Sequence, residues 1–261
     1  MYEQIHDRIY KLAVRSVMKA RLVRYLLLLG ILSVFSSLSV SDNIVRVHYN
    51  ERPPYLTTVA HGIAVGLTAT PAMKAFQASG IQHQWVKTPS NRQIAILEKN
   101  AGKDCLVGWF KNPQREKFAL YSHAIYQDKP SIALALFSNT RIESGRTMEA
   151  VFKDPDLLLL VKDGYSYGSY IDGMIEKYNP KRHSVLVENT NMLQMINVTR
   201  ADYFFTAEEE ADGLIRNAGL FQGDYKYIRF PNTPAGNKRY ILCSKKVGSD
   251  VIDKLNSWID K

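Results

Sequence analysis

The sequence predicts an α/β protein of two lobes, each a mainly parallel sheet covered by helices. Three observations carry that reading. A β-α-β-α-β run occupies the chain from Asn43 to Phe110. A second α/β run follows from Ser131 to the helix after Phe205. Two short polar segments, Gln127–Pro130 and Asn232–Asn237, join the runs, as expected of a chain that crosses between layered units.

The first run opens with Asn43-Ile-Val-Arg-Val-His-Tyr49. It alternates and is rich in β-branched residues, so it is a strand. Asn50-Glu-Arg-Pro-Pro-Tyr55 follows as a loop that two prolines hold extended. Gly62 and Gly66 mark turns, and Thr70-Pro71 opens a helix that Gly80 ends. Ile81–Lys87 alternates again. Ser90 caps a helix with Ile94, Ile96 and Leu97 on its apolar side. Asp104–Phe110 is a buried strand with a sharp turn at Gly108; Asn112 is then an N-cap and Pro113 a first helical residue. Arg115 falls in the first helical turn, at the mouth of a sheet. A planar, permanently charged fork there holds a carboxylate with two parallel hydrogen bonds. A plain surface Arg at a helix start is the alternative.

In the second run, Ser131–Phe137 is an apolar strand and Asp156–Lys162 a fully buried one. Asp163–Ser169 turns into a helix through Lys177. His183–Val187 is a strand, Asn189 or Thr190 starts a short helix, and Ala201–Phe205 is a strand. Thr206-Ala-Glu-Glu209 is a capping box. Glu208-Glu-Glu-Ala211 makes an acidic first turn, which the helix dipole favours. Strand Arg239–Ser244 and an amphipathic helix, Asp250–Ile259, finish the chain. The cleft between two such lobes is the natural ligand site.

The 261 residues are 46% hydrophobic and 23% charged, which supports a packed core and excludes disorder. The formal net charge is +9, and residues 1–24 carry +4 of it. An apolar stretch, Tyr25–Phe35, and the small residues Ser37 and Ser39 follow. Residues 1–39 therefore read as a secretory signal, with cleavage after Ser39 or Ser41 and with Met18 as an alternative start. The apolar stretch is shorter than the roughly 20 residues a membrane span needs, though an uncleaved anchor is the alternative. The address is periplasmic. The remaining charge shows no Lys/Arg run and no basic–aromatic stripe, so a nucleic-acid partner is excluded. Six histidines and two cysteines show no metal spacing. No phosphate loop and no Gly-x-Ser-x-Gly occurs, so no cofactor is expected. Cys105 and Cys243 lie in predicted strands; a disulfide and two separate buried thiols both fit.

At this point the chain, from about Ile44 to Ile259, resembles the periplasmic solute-binding proteins of the extracellular family 3 type, which serve polar amino acid ABC importers. The resemblance rests on pieces in family order. They are Arg52-Pro-Pro-Tyr55, Gly66-Leu67, the Asn112-Pro-Gln-Arg115 turn, Tyr121-Ser122 with Tyr126, Asp163-Gly-Tyr-Ser166, and Ala201-Asp202. It implies the type II periplasmic-binding fold with hinge crossings. Lobe 1 would span residues 40–127, lobe 2 residues 128–236, and residues 237–261 would return to lobe 1.

The resemblance gives Arg115 the ligand carboxylate. It points to Trp109 and Phe110 as cleft walls and to Ser166, flanked by Tyr165 and Tyr167, as the second lobe's hydroxyl turn. Two departures stand out. Arg52 replaces the aromatic of the first loop, and the acid that receives an α-ammonium aligns near Ala207, with Glu208 beside it. Arg92 adds a third cation near the predicted cleft. The expected function is a monomeric receptor that closes on a small anionic or zwitterionic solute and delivers it to an importer permease. A ligand-sensing input to a kinase or chemoreceptor is the alternative, and a dehydratase-like enzyme a further one.

Overall fold

The computed structural model describes residues 44–59 and 64–261. The predicted signal with its alternative start at Met18, and the turn at Gly62, lie outside them. Strand β1 (Val45–Tyr49) is buried along most of its length. A loop with a cis Pro53–Pro54 peptide leads to a small hairpin of β2 (Thr57–Thr58) and β3 (Ala64–Val65). Gly66 follows with φ +134°, and a Cβ there would lie 2.4 Å from the Tyr55 carbonyl oxygen. Only glycine lets these two segments pass so closely.

Helix α1 (Ala69–Ala78), strand β4 (His83–Lys87) and helix α2 (Ser90–Lys99) come next. Asn100 ends α2 in the left-handed conformation, φ 46°. Strand β5 (Asp104–Phe110), helix α3 (Pro113–Glu116) and strand β6 (Ala119–Gln127) complete the first stretch. The second holds β7 (Ser131–Leu136), α4 (Met148–Phe152), β8 (Leu159–Lys162), α5 (Ser169–Tyr178), β9 (Arg182–Val185) and α6 (Asn189–Asn197). It continues with β10 (Tyr203–Ala207), α7 (Glu208–Asn217) and β11 (Tyr225–Ile228). Strand β12 (Lys238–Ser244) and helix α8 (Ser249–Ile259) close the chain.

Among the described residues two five-stranded sheets result beside the small hairpin, in the orders β4-β1-β5-β12-β6 and β11-β7-β10-β8-β9. Each is parallel over its β-α-β part, where β1 meets β4 and β5, and β8 meets β9 and β10. Each turns antiparallel at the strands beside the crossings. Helices cover both faces, so the inner strands β5, β7 and β10 are buried without alternation, while β4 and β9 at the sheet edges are partly exposed. In β10, Tyr203 and Phe205 face one cluster and Phe204 the other. On the first sheet, Phe76 of α1 and Ile252 and Leu255 of α8 close one face. Full burial of such a side chain contributes about 1.5–3 kcal/mol. Cys105 and Cys243 stand opposite each other on β5 and β12 and form a disulfide.

Several local expectations change. Gly108 is no turn: β5 runs through it, and Tyr240 and Ile241 pair with Trp109 and Val107. Gly108 is thus the extra residue of a β-bulge, at φ +82°, and a Cβ there would lie 3.0 Å from the Thr68 hydroxyl. Ser90 does not cap α2; the cap residue is Pro89. The predicted strand from Asp156 starts only at Leu159, because Pro155 and Asp156 form a turn ahead of it. Ala207 takes the cap position of α7 and makes no side-chain cap bond, so the predicted capping box is absent. No described helix is long and apolar enough to cross a membrane.

Candidate functional site

Arg115 is placed by local chemistry. The Asn112 side chain accepts a hydrogen bond from the Arg115 backbone N–H at 2.9 Å, which starts α3. The side chain then turns inward and is 5% exposed. Its guanidinium donates to the carbonyl oxygens of Phe110 at 3.1 Å and Gly164 at 3.3 Å, so it spans the cleft from the first lobe to the second. It lies 4.8 Å from the Trp109 ring centroid. Among the described residues no carboxylate comes within ion-pair distance of it. Burial lowers its pKa, against weaker opposing effects from Tyr121, Tyr165 and Asp172. A buried cation held only by neutral groups is the state that an anionic ligand relieves.

Trp109 forms a wall here. Its Nε1 donates to Gln93 Oε1 at 3.0 Å, and Gln93 Nε2 donates to the Thr88 carbonyl at 2.8 Å. Tyr165 packs on Trp109 from the second lobe, 5.6 Å between centroids. Phe110 lies 4.6 Å from the Arg239 guanidinium carbon. Tyr165, Ser166 and Tyr167 all reach the cleft. The Ser166 hydroxyl, however, donates to Asp172, and the Tyr167 hydroxyl accepts the Lys162 backbone N–H at 2.8 Å.

Arg52 reaches the cleft but is already matched. It donates to both oxygens of Glu210, at 2.7 and 2.8 Å, and to the Tyr165 hydroxyl at 3.2 Å. Glu210 is fully buried. Burial pushes its carboxyl up, but the charge and hydrogen bonds of Arg52, with Arg239 and Thr206, outweigh that and hold it below the usual carboxylate range.

Two predicted site residues fall elsewhere. Arg92 is exposed on the outer side of α2; one position on, Gln93 is the residue that faces inward. Glu208 points outward to Arg229, 2.9 Å away. The helix begins at Glu208, so its third residue, Glu210, carries the inward direction.

Residues outside the prediction complete the site. Arg239, the second residue of β12, is buried and paired with Asp128 at 2.6 and 2.7 Å, beside the crossing segments. It also donates to the carbonyl that the Gly108 bulge presents, at 2.8 Å. Its phase was readable, since Arg239 shares a strand face with the core residues Ile241 and Cys243. Tyr55 is 1% exposed, and its hydroxyl is the one buried side-chain polar atom without a hydrogen-bond partner among the described residues. The inner chamber bounded by Tyr55, Trp109, Arg115, Tyr165 and Arg239 has a cavity volume of about 50 Å³. A wider recess of about 300 Å³ lies beyond Arg52 and Tyr165 and is edged by Glu51 and Glu188.

No protein-family model matches the chain, and no curated protein matches it. Solved structures do. The arginine-binding protein of T. maritima in its holo form shares 16% identity, with a TM-score of 0.64 over 84% of this chain and 89% of that one. A structure from the glutathione import system of Streptococcus mutans shares 15% identity, with a TM-score of 0.66 over 84% and 88%. The substrate-binding protein of an amino acid ABC transporter shares 14% identity, with a TM-score of 0.63 over 83% and 92%. The chain has the two-lobed α/β fold of these solute-binding proteins.

Proposed function

We propose that this chain is a solute receptor that closes its lobes on a small carboxylate-bearing solute and delivers it to an ABC importer. One observation carries the reading: Arg115, buried in the cleft, is held by carbonyls from both lobes and by no carboxylate. The fold supports it, because its neighbours are described as binding proteins for arginine and other transported solutes. The segments near Asp128 and Asn237 act as the hinge, with residues 40–127 and 237–261 in one lobe and 128–236 in the other. Residues 1–39 act as a cleaved leader that takes the receptor to the periplasm. N-terminal sequencing of the exported protein is then expected to start at Val40 or Asp42.

A thermal-shift screen of amino acids, 2-oxo and hydroxy acids and dicarboxylates tests the reading. A specific solute at 100 times its dissociation constant adds about 2.7 kcal/mol of stability. Arg115→Ala removes that shift. A screen in which no carboxylate raises the melting temperature overturns the proposal.

A further inference from the structure

We propose that the cleft selects small monoanionic carboxylates without an ammonium group, and that Arg52 and Glu210 set this selectivity. The inference rests on the receptor reading and narrows its solute.

The hydrogen-bond accounting of Glu210 carries it. Its Oε1 accepts from Arg52 Nε at 2.7 Å and Asn189 Nδ2 at 3.2 Å. Its Oε2 accepts from Arg52 Nη2 at 2.8 Å and Thr206 Oγ1 at 3.0 Å. A carboxylate offers about four acceptor sites, and all are taken. The other acids near the chamber are committed too. Asp128 is gripped at both oxygens by Arg239. Asp172 accepts from the Ser166 hydroxyl and from the Tyr167 backbone N–H. Asp128 is the acid among the residues lining the chamber, its charge is paired with Arg239, and Asp172 does not line it. A ligand ammonium entering here therefore faces three guanidinium groups and no unpaired carboxylate among the lining residues. Like charges in a desolvated site exclude it.

The opposite charge is welcome. Arg52 and Arg239 are neutralised within the protein, whereas Arg115 keeps an unmatched positive charge. A ligand anion supplies the direct partner that Arg115 lacks. Tyr55, whose hydroxyl is buried without a partner, also lines the chamber. Size agrees. A cavity near 50 Å³ has room for roughly three to five water-sized groups, the bulk of a short 2-oxo or 2-hydroxy acid.

Calorimetric titration of the purified protein with matched pairs tests this. Pyruvate and lactate are compared with alanine, and glyoxylate and glycolate with glycine. The acids lacking nitrogen are expected to bind at least tenfold more tightly than their amino partners. Arg52→Met frees Glu210 to receive an ammonium and shifts that ratio at least tenfold towards alanine and glycine. Arg52→Gln, which keeps a hydrogen bond to Glu210, serves if the first variant does not fold, and shifts the ratio in the same direction. Alanine or glycine binding as tightly as its partners, with Arg115→Ala abolishing both, overturns the selectivity and leaves the receptor reading standing. Equal ratios before and after the Arg52 substitution overturn the assigned role of the pair. Binding by none of these six probes overturns the inference, while the receptor reading answers to its broader screen.

Discussion

Arg52 and Arg115 occupy the same cleft and both reach across it, yet they sit in opposite kinds of surroundings. Arg52 meets a carboxylate at both oxygens, and that carboxylate is itself saturated. Arg115 meets two carbonyl oxygens and an indole face. Burial alone therefore does not mark a ligand group. A cation whose charge the fold has balanced works as a strut between lobes. A cation fixed by neutral partners is held in position while its charge stays unanswered. The burial of Arg115 among neutral groups costs desolvation free energy, which a bound anion would recover under the proposed function.

The sharpest way to break this comparison is to remove the strut's counter-charge. Glu210→Ala leaves Arg52 buried and unpaired. It is expected to lower unfolding free energy by about 3–5 kcal/mol in urea titrations. A loss under about 1 kcal/mol would show that the pair is not a desolvated one.

Acid titration sharpens the contrast next. The folded Glu210 carboxyl lies below its usual value. Its contribution is fully present above about pH 4.3, the ordinary glutamate value, and is lost as pH falls through the lower folded value. In Arg52→Met, burial dominates and raises that carboxyl instead. Its contribution then declines as pH rises above about 4.3. The stability gap between wild type and variant should widen with pH, as read by melting temperature from pH 3 to 7. A constant gap would contradict the sign assigned to Glu210.

Arg115→Ala without ligand is expected to stay within about 1 kcal/mol of wild type in the same urea titration, because two lost hydrogen bonds are offset by relief of desolvation. A loss matching that of Glu210→Ala would make both arginines structural. Smallest of all, Thr206→Val removes one of four bonds to Glu210 and should cost about 1 kcal/mol by denaturant unfolding. It should also raise the acid's pKa, which a shifted acid limb of the same stability profile would reveal.

The two arginines also differ in how readable they were. Arg115 was placed from sequence because its determinants are adjacent. Asn112 and Pro113 set the helix start, which puts Arg115 in the first turn; that its side chain turns inward was left open by the sequence. Glu210 was missed in favour of Glu208 by a question of phase. Three consecutive glutamates differ by about 100° each around a helix, and their directions depend on which residue begins it. Arg92 and Gln93 repeat the same one-residue ambiguity on α2. Gly108 was legible as a special backbone position, but a turn and a bulge differ only in what the partner strand does. That strand, β12, arrives some 130 residues later.

The amino-acid order alone determined most strands and helices of the two α/β runs and the helix start beneath Arg115, but not β6, α4 or β11. Those it determined are set largely by periodicity within a few residues. Only the tertiary structure decided which charges meet. Arg52 finds Glu210, Arg239 finds Asp128, and Arg115 finds no acid within ion-pair distance among the described residues, because partners far apart in the chain are brought together by the packing of sheets and the crossing between lobes. Electrostatic energy depends on distance through space and on the loss of water, and neither is written in the local sequence.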